Sequence, residues 1–382
     1  MLNNTHINSA LSAAKHPILL ESEAQLIAAA REWQDCGSLG IDTEFVRERT
    51  YRADLGLVQI SNGSSAWLAD PIALGSLEPL TELMLRKETT KVLHSSTEDL
   101  EVLLYVLGEL PEPLVDTQIA CAMLGQSLQL GYHHAVKWLF DIEIDKDQTR
   151  SNWCRRPLNN KQLLYAAMDV VLLPQMLQEL RRRLEDCGRW EWLEEDVARL
   201  KRNSRQQVEP ETAYMRFAGF GRLDDASLRV LQALAEWREN IAKNRNRARG
   251  FVISDTGMMN LVQLKPANAS EIRAIEDIHP GVLNRYQDQL LELIVRARDG
   301  DFPVERIEQF GNAQKKQINS MRRVVNNRAA ELGVEPALLA SRRELERLVR
   351  AVMQDQPLPE RFLGWRKQVI TNDLLEQLGV AS

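Results

Sequence analysis

The sequence contains few cysteines and no paired cysteine motif. Its 382 residues include four, all far apart in the chain: Cys36, Cys121, Cys154 and Cys187. Because no C-x-x-C spacing occurs, the pattern supports neither a zinc site nor a disulfide framework. Isolated thiols of this kind fit a reducing compartment, and we expect a cytoplasmic protein.

Long hydrophobic runs are also missing. The segment from Met1 to His6 has no basic stretch followed by an apolar run, so we predict no signal peptide. The apolar run Val170–Leu173 follows Asp169 and ends at Pro174, which is too short for a membrane span. We therefore expect no membrane partner.

Charge of neither sign dominates the whole chain, although it is unevenly distributed. The net charge is −6, with 44% hydrophobic and 27% charged residues, an ordinary globular mixture. Residues 1–205 carry 22 Lys and Arg against 30 Asp and Glu, whereas residues 206–382 carry 26 against 24. This balance neither supports nor excludes a polyanionic partner, and the length predicts two or three domains.

Two carboxylates on one predicted strand are the first candidate site. Residues 39–46 form a strand-like run in which Asp42 and Glu44 alternate with Ile41, Thr43 and Phe45. Side chains two residues apart on a strand share a face, so the two acids lie side by side. Carboxylate pairs suit hard cations such as Mg²⁺ or Mn²⁺. The alternative is an edge strand with an acidic solvent face.

The chain around this strand predicts a mixed sheet covered by helices. Strand-like runs at 55–61 and 66–70 are joined by Asn62-Gly63, a strong hairpin signal. Helical and strand-like segments then alternate, with short strands at 91–94 and 114–116. Strands first and alternation afterwards indicate an α/β domain.

Two further segments carry candidate acids. Ser96 is a good helix N-cap, and Asp99 follows in the first turn, either as a capping acid or as a site residue. Asn159 predicts another helix start, and on that helix Tyr165 and Asp169 share one face a turn apart. Taken singly, the Tyr–Asp pair also fits an exposed helix surface.

Together these motifs resemble the DEDD exonucleases that carry a tyrosine four residues before the last aspartate, ribonuclease D in particular. The resemblance covers roughly the first half of the chain and rests on four segments: Asp42-Thr43-Glu44-Phe45, Leu57-Val58-Gln59-Ile60, Asp116-Thr117-Gln118 and Tyr165-Ala166-Ala167-Met168-Asp169. It implies a ribonuclease H-like fold. It also implies two divalent metal ions (Mg²⁺ or Mn²⁺) held by Asp42, Glu44, Asp99 and Asp169, with Tyr165 orienting the attacking water.

Four other residues near these motifs are assigned roles outside the metal site. Asp116 is interpreted as structural, and His94 as a packed or capping residue and not a ligand. Phe45 is assigned either to the core or to stacking on a terminal base, and Arg156 either to a phosphate contact or to a solvated loop.

The second half of the chain is predicted to be helical and internally repeated. A shift of 87 residues aligns 237–262 with 324–349 without a gap. The first copy, with Trp237-Arg238 and Ser254-Asp255, resembles the HRDC domain, a small helical bundle found in ribonuclease D and in RecQ-type helicases. A helicase is excluded because no G-x-x-x-x-G-K-[ST] loop occurs. We predict an exonuclease domain at 1–205 and HRDC-like domains at 223–302 and 303–382.

Basic runs in the repeats are candidate phosphate contacts, although such runs are more often solvated faces. One contains Lys243, Arg245, Arg247 and Arg249, and the other Lys315, Lys316, Arg322 and Arg323.

The sequence therefore predicts a monomeric 3′→5′ exoribonuclease acting on RNA with a free 3′ end. The resemblance implies substrates such as transfer-RNA precursors and release of nucleoside 5′-monophosphates. A DNA exonuclease and an RNA-binding protein with an inactive nuclease domain are the alternatives.

Overall fold

The computed structural model describes residues 4–144, 151–206, 209–275, 277–300 and 310–380. The chain divides into two compact units. The first comprises Met1–Val46, Leu55–Arg205 and Phe310–Ser382, and the second comprises Arg47–Asp54 and Gln206–Gln309. The first unit thus contains both the sheet and the C-terminal helices. The domain boundaries expected from the sequence stay predictions.

A six-stranded mixed sheet forms the centre of the first unit. Its strands are β1 (Ile18–Leu20), β2 (Ser38–Val46), β3 (Asp54–Ser61), β4 (Ala66–Ala69), β5 (Thr90–Leu93) and β6 (Leu114–Asp116). Their order is β1-β4-β3-β2-β5-β6, so β2 lies in the interior of the sheet. Strands β2, β5 and β6 run parallel, and β3 pairs antiparallel with β4.

The hairpin between β3 and β4 has the turn that the sequence predicts. The side-chain oxygen of Asn62 accepts the backbone N–H groups of Ser64 and Ser65, and Gly63 has φ of +86°. Asn and Gly favour such a turn because one supplies a local hydrogen bond and the other a left-handed backbone. Strand β1 and the first helix were not predicted.

Helices pack on this sheet. They are α1 (Asn4–Ala14), α2 (Glu23–Trp33), α3 (Glu78–Leu85), α4 (Thr97–Leu107), α5 (Thr117–Met123), α6 (Tyr132–Phe140), α7 (Asn160–Val171), α8 (Leu173–Asp186) and α9 (Trp190–Arg205). Capping boxes begin α2 at Ser22 and α7 at Asn159. Each cap contributes about 1 kcal/mol of helix stability.

The stretch from Asn160 to Asp186 is long and apolar enough, by length and composition alone, to cross a membrane. However, 61% of its most apolar window is buried within the protein. A core helix of a globular domain can have the same length and apolar composition.

The C-terminal helices pack against α9 within the first unit. They are α15 (Asn312–Leu332), α16 (Pro336–Leu339), α17 (Arg342–Met353) and α18 (Asn372–Glu376), with a 3₁₀ turn at Glu360–Phe362 and a π-helical turn at Lys367–Thr371. The carboxylate of Asp196 accepts two bonds from the Arg366 guanidinium at 2.6 and 2.7 Å, and the rings of Trp192 and Trp365 stack 4.3 Å apart.

The second unit is a helical bundle built around α10 (Asp225–Asn244) and α14 (Pro280–Asp299). Between these two helices lie α11 (Arg249–Val252), α12 (Asp255–Leu264) and α13 (Ala269–Arg273). Two 3₁₀ turns precede α10, at Pro210–Arg216 and Phe220–Arg222. The polar segment Arg47–Asp54 belongs to this bundle. Its Tyr51 hydroxyl donates to Glu239 at 2.5 Å, and Tyr51 packs against the apolar core of the bundle.

The internal repeat is confirmed by the helix starts. Helices α10, α11 and α12 begin at residues 225, 249 and 255, and α15, α16 and α17 begin 87 residues later at 312, 336 and 342. Ser254 and Ser341 each cap the third helix of their copy. The first three helices of the two copies therefore begin at matching positions despite the low sequence identity.

Candidate active site

Strand β2 presents two acids from the middle of the sheet. It lies between β3 and β5, so the alternative of an acidic edge strand is wrong. Asp42 and Glu44 are partly buried, whereas Ile41 before them and Thr43 between them are buried. Carboxylates in such a place need protons, hydrogen bonds or cations to balance their charge.

The end of α7 brings a third acid to the pair. Strand β2 approaches this helix so closely that a Cβ atom at Gly40 would lie 2.5 Å from the carbonyl oxygen of Val170. Asp42 follows Gly40 by two residues, and Asp169 immediately precedes Val170. One carboxylate oxygen from each of Asp42, Glu44 and Asp169 lies within 4.8 Å of the others.

Asp99 reaches the same place from the first turn of α4. The Thr43 hydroxyl donates to its carboxylate at 2.5 Å, and the Thr43 backbone N–H also bonds to it. Its charge acts on Asp42 and Glu44. The structure therefore brings the four predicted acids together, with Asp99 held on β2 through Thr43.

Asp116 fixes the loop that positions α4. It is 1% exposed, and it accepts hydrogen bonds from the backbone N–H of Ser96 and from the Ser96 hydroxyl, both at 2.8 Å. It also caps α5 through Gln118 and Ile119. Ser96 is the N-cap of α4 as expected, but its side chain bonds Asp116 and makes no cap hydrogen bond, because a buried acid competes for the hydroxyl. The structural interpretation of Asp116 is confirmed.

Tyr165 lies one turn before Asp169 and donates its hydroxyl hydrogen bond to that carboxylate. Burial, followed by the charges of Asp169 and Glu44, raises the pKa of Tyr165 well above its usual value. The phenol therefore stays protonated at neutral pH.

Burial raises the pKa of every acid in the cluster, and repulsion from neighbouring acids adds to it for Asp42 and Glu44. Burial and the charges of Asp99, Asp169 and Glu44 raise the pKa of Asp42 well above its usual range. Burial and the charges of Asp169 and Asp99 raise the pKa of Glu44 to about 8. Burial raises the pKa of Asp99 to about 6 and that of Asp169 to about 7, against hydrogen bonds from Thr43 and Tyr165.

The donor set fits divalent cations. Oxygen ligands from several carboxylates are what Mg²⁺ and Mn²⁺ bind, and no sulfur or imidazole takes part in the three-acid group. Bound cations would offset the negative charge that the four acids carry when they are ionised.

Two aromatic residues at the site were missed by sequence reasoning. The Trp153 side chain donates a hydrogen bond to Glu44, and its ring centroid lies 6.1 Å from that of Tyr165. The Tyr132 hydroxyl donates to the carbonyl oxygen of Met168 at 3.0 Å. Burial, followed by the charge of Asp169, raises the pKa of this tyrosine. Neither residue belongs to a motif that spacing could have identified.

Phe45, His94 and Arg156 are the other predicted residues of the first unit. Phe45 is half-buried on β2, and His94 is packed, with its ring nitrogens 2.8 Å from Thr117 Oγ1 and the Leu130 carbonyl oxygen. All five N–H groups of Arg156 are used inside the protein, on Asp70 and on three backbone carbonyls. A nucleic-acid contact by Arg156 stays a prediction, and it would require breaking one of these bonds.

The first basic run lies in the second unit. Lys243 is half-buried near the end of α10, whereas Arg245 and Arg247 are exposed just after it. The Arg245 guanidinium lies 5.5 Å from the ring centre of Tyr286. The predicted phosphate contacts of these three residues stay predictions.

A mixed sheet with four acids and a tyrosine gathered beside its central strand defines the class of 3′→5′ exonucleases with a ribonuclease H-like fold. Family models agree: residues 17–185 match a 3′-5′ exonuclease, residues 227–294 an HRDC domain, and residues 313–374 the C-terminal HRDC domain of ribonuclease D.

Curated relatives identify the family. The chain is 37% identical over 364 residues to ribonuclease D of Pseudomonas paraeruginosa, covering 94% of this chain and 96% of the relative. It is 33% identical over 347 residues to ribonuclease D of Haemophilus influenzae, covering 88% and 86%. The chain belongs to the ribonuclease D family and is a 3′→5′ exoribonuclease.

Solved structures support the same fold. The crystal structure of Escherichia coli RNase D, described as an exoribonuclease involved in structured RNA processing, matches with a TM-score of 0.88 and 28% identity, covering 95% of this chain and 99% of that one. The catalytic core of RRP6 from Trypanosoma brucei has a TM-score of 0.62 at 19% identity, covering 73% and 79%, and shares the fold.

Proposed function

We propose that this exoribonuclease removes nucleotides one at a time from RNA 3′ ends by metal-assisted hydrolysis, releasing nucleoside 5′-monophosphates. The observation that carries the proposal is the meeting of Asp42, Glu44 and Asp169 within 4.8 Å, with Asp99 held beside them by Thr43. These four acids would hold two divalent cations, Mg²⁺ or Mn²⁺. Bound there, the cations would lower the pKa of the attacking water and offset charge on the departing 3′ oxygen.

Tyr165 orients the attacking water. Its hydroxyl group donates a hydrogen bond to Asp169, and its raised pKa makes it unsuitable as a general base. The phenol oxygen remains able to accept a hydrogen bond from water, which would turn a lone pair of that water toward the phosphorus atom. Positioning of this kind reduces the entropy cost of the attack.

The substrate we propose is structured RNA with a free 3′ extension, such as a transfer-RNA precursor. Support comes from the family and from the E. coli relative, which acts in structured RNA processing. A DNA exonuclease is the alternative, because the same acids can serve either backbone. An RNA-binding protein with an inactive nuclease domain is disfavoured, because Tyr165 and all four acids are present and gathered.

The first helical bundle is proposed to contact the RNA backbone through Lys243, Arg245 and Arg247. Two of these cations are exposed at the end of a helix, where they can reach phosphate groups. We also propose that the protein acts as a cytoplasmic monomer without a membrane partner.

The test uses a 5′-labelled hairpin RNA with a single-stranded 3′ tail, and its DNA counterpart, in Mg²⁺ or Mn²⁺. Wild-type protein should shorten the RNA tail stepwise and release nucleoside 5′-monophosphates. A chelator or Asp169→Asn should reduce the rate by at least about 10²-fold, because a ligand and the partner of Tyr165 are lost. Asp186→Asn, which removes an exposed acid from α8, is the matched control. Tail shortening that persists in Asp169→Asn, or in chelator, would contradict the proposal.

A further inference from the structure

Trp153 lies against two residues of the candidate active site. It is 2% exposed, and its indole N–H donates to the Glu44 carboxylate. Its ring is tilted by 35° against the Tyr165 ring, with 6.1 Å between centroids. One side chain therefore contacts an acid from β2 and the tyrosine from α7.

The segment around Trp153 is anchored to the sheet. A Cβ atom at Gly56 would lie 2.7 Å from the Trp153 carbonyl oxygen, so the segment packs directly on the β3 backbone. Arg156 donates to that carbonyl at 2.7 Å and to the carbonyl of Gly56 at 2.7 Å. Its guanidinium also pairs with Asp70, which is 2% exposed. Burial opposes ionisation of Asp70, but the bonds and charge of Arg156 hold its pKa below the usual value.

Three of the site acids each accept a hydrogen bond from the side chain of another residue. The pairs are Thr43 on Asp99, Tyr165 on Asp169 and Trp153 on Glu44. Glu44 has the longest of these acid side chains and loses the most rotamer freedom when fixed. An indole N–H can only donate, so it favours the ionised carboxylate in one orientation.

Core packing alone does not explain this arrangement. Trp33 is 1% exposed in the same unit and packs edge-on against Trp67, yet its buried indole N–H has no hydrogen-bond partner among the residues that the structure describes. Trp153 is similarly buried, but its indole N–H donates a hydrogen bond to Glu44.

We propose that Trp153 is a positioning residue that fixes Glu44 and Tyr165 relative to each other, so that the acid cluster is preorganised for cations and for the attacking water. This role rests on the proposed function, because it acts through the acids and the tyrosine named there.

The test compares Trp153→Phe with Trp33→Phe in the full-length protein. Both remove a buried indole N–H, but only the first removes a bond to Glu44. Titration calorimetry with Mn²⁺ alone, without RNA, should show affinity about 10–100-fold weaker for Trp153→Phe and unchanged for Trp33→Phe. In RNA cleavage at saturating Mn²⁺, kcat should fall in Trp153→Phe while KM for RNA stays within about twofold.

A second variant keeps the inference testable if Trp153→Phe does not fold. Arg156→Lys leaves the indole in place but removes the guanidinium bond to the Trp153 carbonyl, and it should weaken Mn²⁺ binding in the same direction by a smaller factor. Unchanged Mn²⁺ affinity in the folded variants, or a raised KM for RNA as the sole effect, would overturn the positioning role. Wild-type protein that neither binds Mn²⁺ nor cleaves RNA would overturn the proposed function as well.

Discussion

At the scale of single residues, ionising the buried acids of the site lowers the folding stability of the metal-free protein. Burial raises the pKa values of Glu44, Asp169 and Asp99 to about 8, 7 and 6, and that of Asp42 well above its usual range, and repulsion from neighbouring acids adds to the shifts of Glu44 and Asp42. In an unfolded chain these groups titrate near pH 4. The folded, metal-free protein therefore binds more protons than the unfolded chain between about pH 4 and 8.

This proton balance predicts a pH-dependent stability in chelator. Stability falls as pH rises wherever the folded state holds more protons, so the site destabilises the metal-free protein most at pH 8 and above. Asp169→Asn should therefore show a smaller loss of Tm between pH 5.5 and 8.5 than wild type, by a few degrees. Differential scanning calorimetry in EDTA measures this, and Asp186→Asn is the control. Identical pH profiles for wild type and Asp169→Asn would contradict the expectation.

Sequence reasoning found the acids but not the residues that hold them. Spacing on a strand or helix identifies Asp42, Glu44 and the Tyr165–Asp169 pair, since both relations are local. The contacts of Trp153 with Glu44 and of Thr43 with Asp99 join residues over 50 positions apart. Such contacts depend on how segments meet in space, which no local period encodes.

At the scale of elements, the site depends on the approach of β2 to the end of α7. Gly40 permits it, because a Cβ atom there would meet the Val170 carbonyl oxygen at 2.5 Å and the Leu173 Cβ at 2.8 Å. At the nearby Gly37, just before β2, a Cβ atom would meet no other atom of the described part of the chain within 4 Å. One glycine is therefore required by packing, while the other is not.

Gly40→Ala should separate the strand from the helix. The added methyl group forces backbone to shift, which costs about 1–3 kcal/mol of unfolding free energy. Because Asp42 and Asp169 lie on the two elements, the rate of RNA cleavage should also fall, roughly tenfold to a hundredfold. Urea unfolding and cleavage assays measure the two effects, with Gly37→Ala as the matched control. Equal behaviour of the two variants would show that the close approach is unimportant.

Most elements were predictable, and the exceptions have physical reasons. Caps such as Asn159 and the Asn62-Gly63 turn act within a few residues, so the sequence reveals them. Strand β1 has three residues and no alternation to detect. In the polar segment Arg47–Asp54, no local sequence pattern indicates that Tyr51 packs on a helical bundle formed by residues far along the chain.

At the scale of the molecule, a buried ion pair ties the C-terminal helices to α9. Asp196 and Arg366 are 4% and 2% exposed, and Arg361 and Arg199 lie nearby at 3.9 and 3.5 Å. Burial opposes ionisation of Asp196, but the hydrogen bonds and charge of Arg366 lower its pKa. The C-terminal helices are therefore part of the same folded unit as the nuclease sheet.

Asp196→Ala should destabilise this unit by about 3–5 kcal/mol, because it leaves Arg366 buried without its anion. Glu360→Gln is the control, since Glu360 pairs with Arg202 between the same two regions but at the surface, where such pairs contribute at most about 1 kcal/mol. Urea unfolding monitored by tryptophan fluorescence separates the two values. A loss below 1 kcal/mol for Asp196→Ala would refute the structural role.

The RNA-binding role of the first bundle is best tested by substitution, because cutting the chain at residue 205 would also remove Arg366. Replacing Lys243, Arg245 and Arg247 with glutamine should weaken RNA binding and flatten its salt dependence. The log–log slope should drop by about 2, at roughly 0.7 per neutralised cation on single-stranded RNA. Fluorescence anisotropy between 50 and 200 mM salt measures it, with Arg182→Gln on α8 as the control. An unchanged slope would leave these cations as solvated surface.

The Asp196–Arg366 pair also sets a limit on when the protein can finish folding as it is made. The two residues are 170 positions apart. A ribosome adding 5–20 residues per second needs roughly 10–35 s to synthesise the intervening chain. During that interval Asp196 and Trp192 on α9 lack their partners Arg366 and Trp365, until the last helices emerge.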